Sequence, residues 1–510
     1  VPPSREASSP LWARALALNA LSDPRFVPIA VAGLFALLAL RSAIAPFGDQ
    51  DAGWLAATGR QLLETHAVPR TNGWSITDAA MPWVVHEWAL TPIYAVLTEH
   101  LGLAGPVCLG IGAAFGSTVL LVAATIGRTA RLAAGAITCL VAIALTRECL
   151  FEPRPAYVML GAPIAMMMLA LAPRFTPRHA IACVALELVW ANAHGSFPLG
   201  VGVLVLGAVA HASDRRARVT AIALASIATL ATPYGTDLFV LVGRYAVGGD
   251  TAAEAIHAHI AEFQPLWSAG PVFGGAPRVI GVALVALLGA LGVAKGDRVA
   301  RTSAFGALCM AALAVAHARH VPQAITLGAA LLAPTIDRLI ADVPLTTHPF
   351  DRTRLARTVA PWLLGAATIA IALACVRGVH ADDALGGDAL PSLAHDPRVA
   401  HARAFVAFDA SGRFLWLAPD ARVLFDPRND CYAGETARVA YTIEEGDCID
   451  GCLAAALDDF EVDVAIVPDD HASLRTLRGL DSFEEVRSRG GWHLFTLRSG
   501  ARPTAPAPSD

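Results

Sequence analysis

Residues 27–54, VPIAVAGLFALLALRSAIAPFGDQDAGW, decide how this chain must be read. From Val27 to Ala45 the run is apolar apart from Arg41 and Ser42. A membrane-spanning helix needs about 20 such residues, whereas a signal-peptide core is shorter and ends at a small-residue cleavage site followed by soluble sequence. The run is therefore expected to persist as a membrane helix. Directly after it come Asp49, Asp51 and Trp54, and further on Trp83-Val84-Val85-His86-Glu87-Trp88 repeats the mixture of titratable and aromatic groups. Tryptophans concentrate at the membrane–water interface, so this insert is expected to hold polar chemistry at a bilayer surface.

Composition agrees with that start. Of 510 residues 55% are hydrophobic and 16% charged, with mean hydropathy +0.53, against about 25% charged in a soluble domain. Net charge −5 excludes a global basic field, and with it nucleic acid as a partner. Apolar stretches recur at 27–45, 106–127, 131–148, 155–172, 179–194, 198–211, 218–232, 279–294, 302–317, 321–337 and 357–377. If they alternate across the bilayer, Arg5/Arg14/Arg25, Arg128/Arg131, Arg174/Arg178, Arg215/Arg216/Arg218, Lys295/Arg298/Arg301 and Arg352/Arg354/Arg357 share one side. Short cytoplasmic loops collect such cations. The N-terminus is then cytoplasmic. The opposite, extracytoplasmic side receives the 46–105 insert, the 233–278 loop and everything after 378. The expected fold class is mainly α, a polytopic transmembrane bundle of about eleven spans with a small C-terminal α/β domain. The segments are a cytoplasmic stretch 1–26, the transmembrane domain 27–378, a linker 379–400, the α/β domain 401–500 and a disordered Pro- and Ala-rich tail 501–510.

This alternation requires 87–101 to lie along the interface, as its proline, tyrosine and tryptophan suggest. Within the insert a helix is expected from Asp49 or Asp51 to Glu64 or His66, with Leu55, Gly59, Leu62 and Leu63 on one membrane-facing side. Asp49 stands where an N-cap belongs, and a plain cap accounts for it as well as chemistry does. Asp51 falls in the first turn, where carboxylates are common. Deeper in the bundle, Glu187 and His194 share a helix face, and ionisable groups inside a span usually face a cavity, although a polar helix–helix contact is the plainer reading. Arg319-His320 ends another span, where interfacial snorkelling is the plainer account. His257/His259 and His317/His320 have metal-like spacing without the carboxylates or cysteines to complete a site.

Beyond the last span, 414–417, 422–425, 462–467 and 492–497 read as strands, and 451–460 and 472–480 as helices. Cys431, Cys448 and Cys452 lie in this domain, and one bridge from Cys431 to Cys448 or Cys452 is expected. The six cysteines of the membrane body are expected as buried apolar packing.

The insert from Asp49 to Gly59, followed by Val68-Pro69-Arg70-Thr71 and Pro82 to Trp88, resembles the first exoplasmic loop of GT-C superfamily integral-membrane glycosyltransferases. The likeness is to polyprenyl-phosphate-sugar-dependent enzymes of the protein mannosyltransferase and aminoarabinose transferase type, and above all to bacterial members. Arg154-Pro155, Trp190 to Phe197 with Asn192 and His194, Pro233-Tyr234-Gly235, Glu262-Phe263-Gln264-Pro265, Arg319-His320-Val321-Pro322 and Phe425 to Asp430 extend it over most of the chain. Phe263 replaces the usual tryptophan, and Pro427 the usual glycine. The resemblance implies an enzyme of the bacterial inner membrane, transferring a sugar from a polyprenyl-phosphate donor to an extracytoplasmic acceptor, usually with inversion. It implies Asp49 as general base, with Asp51, His86 and Glu87 shaping the acceptor side or raising the pKa of the base. Arg154, Asn192, His194, Glu262, Arg319 and His320 would serve substrate or phosphate binding, since a guanidinium fork suits phosphate oxygens. Some branches of the superfamily use a divalent cation and others none, and Asp49 with Asp51 are too few oxygen ligands to decide. Two other readings stay open: a transporter or flippase of a lipid-linked substrate, and a non-catalytic envelope scaffold.

Overall fold

The computed structural model describes residues 22–248, 251–270, 274–343, 352–448 and 452–498. The chain forms two compact units, one ending its first segment at Ile44 and continuing through Val107–Ala231 and Ala261–Val376, the other made of Ala45–Pro106, Thr232–Ile260 and the chain from Arg377 onward. The 46–105 insert, much of the 233–278 loop and the C-terminal region thus fold as one body. Most of 1–26 and all of 501–510 lie outside the described residues.

All eleven apolar stretches are helical, and this is a membrane protein. Phe26–Ile44, Ala104–Gly127, Ala276–Lys295, Arg298–Ala316 and Arg357–Arg377 are long and apolar enough to cross a bilayer, while Leu132–Leu145, Pro155–Ala170 and Pro198–Ala210 are shorter apolar helices. The remaining stretches fall on Pro177–Ala193, Arg215–Ala228 and Val321–Leu339. Leu37, Leu287, Trp362 and Ile369 are exposed on these helices, which suits a lipid surrounding.

The first unit sorts its polar groups to two ends. At one end Asp337 accepts from the amides of Ala130 and Arg131, Arg218 donates to the carbonyls of Ala170 and Ala172, and Arg298 donates to Val209. These are the arginine-bearing loops that alternation gathers on one side. At the other end Arg154 pairs with Glu262, Arg278 with Glu148, and Ala318 donates its amide to Gln264.

The second unit is built on a five-stranded sheet of order β2-β1-β3-β5-β4, where β1 is Arg403–Val406, β2 Arg422–Val423, β3 Val464–Pro468, β4 Phe483–Arg489 and β5 Trp492–Leu497. β1 is parallel to β2 and β3, and β5 is antiparallel to β3 and β4. The insert extends this sheet, since Val423 donates to Trp74 and accepts from Ile76. β1 and β4 escaped the sequence reading because a four-residue strand carries little pattern and β4 exposes most of its length.

Three expectations need correction here. Residues 414–417 are not a strand but end the helix Phe408–Leu417. A short apolar run has no period of its own, and burial of Ala410, Ser411, Phe414 and Leu415 follows helical spacing. Cys448 is bonded to Cys452, and Cys431 is a buried free thiol; Cys448 and Cys452 are four residues apart with Cα atoms at 5.5 Å, which suits a bridge. The Asp51–Thr65 helix buries Trp54, Leu55 and Gly59 against protein and leaves Leu63 exposed, so its apolar face is a packing face. Thr91–Leu101 has 11 residues, about 16 Å at 1.5 Å per residue, too short to cross.

Candidate active site

The second unit contains a partly open pocket at the start of the Asp51–Thr65 helix. Two glycines make it. A Cβ at Gly53 would lie 2.4 Å from the Gly412 carbonyl oxygen, and one at Gly59 would lie 1.9 Å from the Thr91 carbonyl oxygen. Glycine at both points lets this helix press between Phe408–Leu417 and Thr91–Leu101. Their side chains then border a cavity of about 180 Å³ lined by Phe47, Asp49, Thr98, Leu103, Arg413 and Trp416, among others. Phe47 is fixed by pairing with Ala381 through its amide to His380 and its carbonyl from Asp382.

Asp49 is 7% exposed. Its Oδ1 accepts from the amides of Asp51 at 2.7 Å and Ala52 at 3.2 Å, so it caps the helix while lining the cavity. The capping contacts and a place on the pocket wall thus belong to the same residue. Asp51 accepts from the Trp54 indole at 3.1 Å, which commits one of its oxygens to protein. Arg413, half-buried, donates to the carbonyls of Leu385 and Gly387, and burial lowers its pKa from the usual arginine value while Asp388 opposes that. Arg60 lies 4.2 Å from the Trp416 ring and donates to its carbonyl.

A second polar centre in the same unit joins the insert, the Asp237–Val247 helix and the segment after β2. His86 Nε2 and Glu87 Oε1 are 2.5 Å apart, and the Tyr245 ring stands edge-on to His86 at 6.1 Å. Tyr245 also hydrogen-bonds Asp430, whose carboxyl is pushed up to about 7 by burial, with Glu87 adding to the rise and His86 and Arg428 opposing it. Beneath it Arg428 grips Asp426 by two hydrogen bonds of 2.8 and 2.6 Å, both side chains fully buried. Trp74 and Trp83 cover the guanidinium at 5.0 and 4.7 Å. Asn72 donates to the Cys431 carbonyl, and Tyr441 to Asn429, which takes a left-handed φ of 40°.

The remaining sequence candidates, His257 and His259 apart, belong to the first unit. Arg154 and Glu262 are 3.2 Å apart, and Arg319 lies over the Phe263 ring at 4.2 Å, next to Glu262 in sequence. His320 stands edge-on to His317, with ring centroids 6.4 Å apart. Asn192 donates to Leu188 and Ala231, and His194 pairs with Ser196 at 2.8 Å. His317 bonds the Phe263 carbonyl, and His259 bonds Glu445 and stacks on Tyr441, so each has a structural role. Glu187 is fully buried with no hydrogen bond to either oxygen among the described residues, in a space left by Gly200, where a Cβ would lie 2.0 Å from its carboxylate.

Sequence reading missed Thr98, Tyr245, Arg413 and Trp416. Roughly 360 residues separate Asp49 from Arg413, and no local spacing connects them. Asp430 stood in a stretch noted for its resemblance but was given no role.

No protein-family model and no curated protein matches the chain in sequence. Solved structures do. ArnT from Cupriavidus metallidurans, bound to undecaprenyl phosphate, aligns with TM-score 0.54 and 15% identity over 94% of this chain and 98% of its own. The archaeal oligosaccharyltransferase AglB from Archaeoglobus fulgidus, in complex with an inhibitory peptide and a dolichol-phosphate, aligns with TM-score 0.54 and 10% identity over 88% of this chain and 70% of its own. The chain shares the fold of these two proteins, which are GT-C superfamily glycosyltransferases.

Proposed function

We propose that the chain is a membrane glycosyltransferase that moves a sugar from a polyprenyl-phosphate-linked donor to a glycan, lipid or protein acceptor on the extracytoplasmic face, with inversion. The observation that carries this reading is a buried Asp49 lining a partly open pocket with a guanidinium, in a chain of this fold. Transfer needs a base to take the acceptor hydroxyl proton as that oxygen attacks the anomeric carbon, and a cation to meet the departing lipid phosphate. Asp49 takes the first role. Arg413, on the wall of the same pocket, takes the second. Binding of undecaprenyl phosphate by ArnT and of dolichol-phosphate by AglB supports a lipid-phosphate donor here.

Envelope glycans and glycolipids of a strain lacking the chain, compared with one carrying Asp49→Asn, test the reading. Both strains should lack the same glycoform, with the variant present at normal abundance. An unchanged profile for Asp49→Asn overturns it. A carrier of lipid-linked substrate is the second reading, favoured by the buried Glu187; it predicts loss with Glu187→Gln and indifference to Asp49→Asn.

A further inference from the structure

We infer that Cys108 and Cys375 are a modification site, closed after folding into a disulfide by a disulfide-carrying oxidoreductase outside the cytoplasm; the choice of compartment rests on the proposed orientation. Their sulfur atoms are 3.7 Å apart, although 267 positions separate them in the chain. All six cysteines of the membrane body are expected from the sequence as buried packing. Cys139, Cys149 and Cys183 are buried, but Cys108 is half-buried and Cys375 is exposed. Of the free cysteines among the described residues, these two are the pair in contact.

Their place in the helices makes them reachable. Cys108 is the fifth residue of Ala104–Gly127, about 6 Å from its start at 1.5 Å per residue. Cys375 lies two residues before the end of Arg357–Arg377, about 3 Å from it. Both thiols are thus within about one turn of a helix end, where an oxidant dissolved in water meets them. The chain enters the first unit at Val107 and leaves it after Val376, so a bond here ties one entry of the chain to one exit.

The last apolar helix is also the one that gains from such a bond. Arg357–Arg377 is the least buried of the five helices long enough to span. Val359, Leu363, Ala367, Ala370 and Ala374 form its packed side, three of them alanines, while Trp362, Leu364, Ile369 and Val376 are exposed. Lipid tails are as apolar as these side chains, so little drives the helix onto the body. A covalent bond at Cys375, next to Ala374, supplies the hold. The sulfurs must approach from 3.7 Å to about 2.05 Å. Cys375, the more exposed, attacks as thiolate one sulfur of the oxidoreductase disulfide and displaces the other; Cys108 then attacks the Cys375 sulfur of the mixed disulfide. The chain gives up two electrons and two protons, and the oxidoreductase leaves as a dithiol.

The test lyses cells in N-ethylmaleimide and digests the purified full chain without reductant for mass spectrometry. A peptide pair joined through Cys108 and Cys375, lighter by two hydrogens than the separate thiol peptides, is the expected result. Recovery of both cysteines as maleimide adducts overturns the bridge. In that event the reduced chain treated with diamide in nanodiscs locates the error: linkage there faults the orientation, and its absence faults the geometry. Thermal unfolding gives a second measurement. Cys108→Ser and Cys375→Ser should each lower the melting temperature by about 5 °C, and the double variant by no more than either, because one bond is broken only once. A double variant that loses the sum of the two overturns the bridge as well. The transferase reading is judged separately by the glycan profile of Asp49→Asn: a linked peptide beside an unchanged profile keeps the bridge and removes the transferase.

Discussion

Two deeply buried ionisable sites, one in each unit, are partnered in opposite ways. In the second, Asp426 and Arg428 are sealed at 0% side-chain exposure, yet each is met by several partners: two mutual hydrogen bonds, the Tyr432 hydroxyl, and two tryptophan faces. In the first, Glu187 is just as deeply buried, and neither of its oxygens has a hydrogen bond among the described residues. Burial of a charge is tolerated only with compensation. The difference teaches that the Asp426–Arg428 network is structural cement for a body assembled from three distant stretches of chain, whereas Glu187 sits at a helix contact whose neighbour, Gly200, merely leaves it room.

Arg428→Met breaks the comparison hardest. It strands Asp426 in a dry site, and removing one partner of such a pair costs about 3–5 kcal/mol. Thermal unfolding of the purified protein should show the loss, with Asp426→Asn added to Arg428→Met recovering part of it; a neutral Arg428→Met would show that the network is not what holds the unit. Next comes Gly59→Ala, where the new Cβ would meet the Thr91 carbonyl at 1.9 Å and force two helices apart. Overpacking of this kind costs about 1–3 kcal/mol, and the same measurement should find a larger penalty than for an alanine at exposed Gly73, where nothing lies within 4 Å.

Asp430 sharpens the contrast through pH. Its folded-state pKa of about 7 is above the ordinary carboxylate value of 3.8, so between these values the folded chain holds a proton that the unfolded chain has lost. Stability contributed by this group therefore declines as pH rises from about 4 to 7, at about 1.4 kcal/mol per unit of separation. Asp430→Asn should flatten that slope in melting curves recorded across the window; an unaltered slope assigns it to other groups. The smallest effect belongs to Glu187→Gln, expected within about 1 kcal/mol of wild type because no hydrogen bond is broken. A loss comparable to that of Arg428→Met would mean that Glu187 is as well partnered as Asp426, and the contrast would fall.

Helices were legible wherever hydrophobic runs were long, because burial in lipid leaves the backbone no partner but itself. The arginine pattern was legible for a similar reason: the loops at 128–131, 209–218 and 337–341 hydrogen-bond to their neighbours at one end of the first unit. The sheet was half legible. β3 and β5, buried along their length, stood out, while β2 shrank to two residues and 414–417 turned out helical. Cysteine pairing was misread because the sequence spacing leaves the partner open, whereas the fold buries Cys431 as a free thiol and brings the Cα atoms of Cys448 and Cys452 to 5.5 Å.

By itself the sequence determined the membrane class, the helical body and the polar insert with Asp49 at a helix start, since each follows from periodicity and from the cost of unpaired backbone in lipid. Only the tertiary structure decided what Asp49 faces. The cavity, Thr98, Arg413 and Trp416 come together through close helix crossings at Gly53 and Gly59, and contacts between residues hundreds of positions apart leave no trace in local spacing.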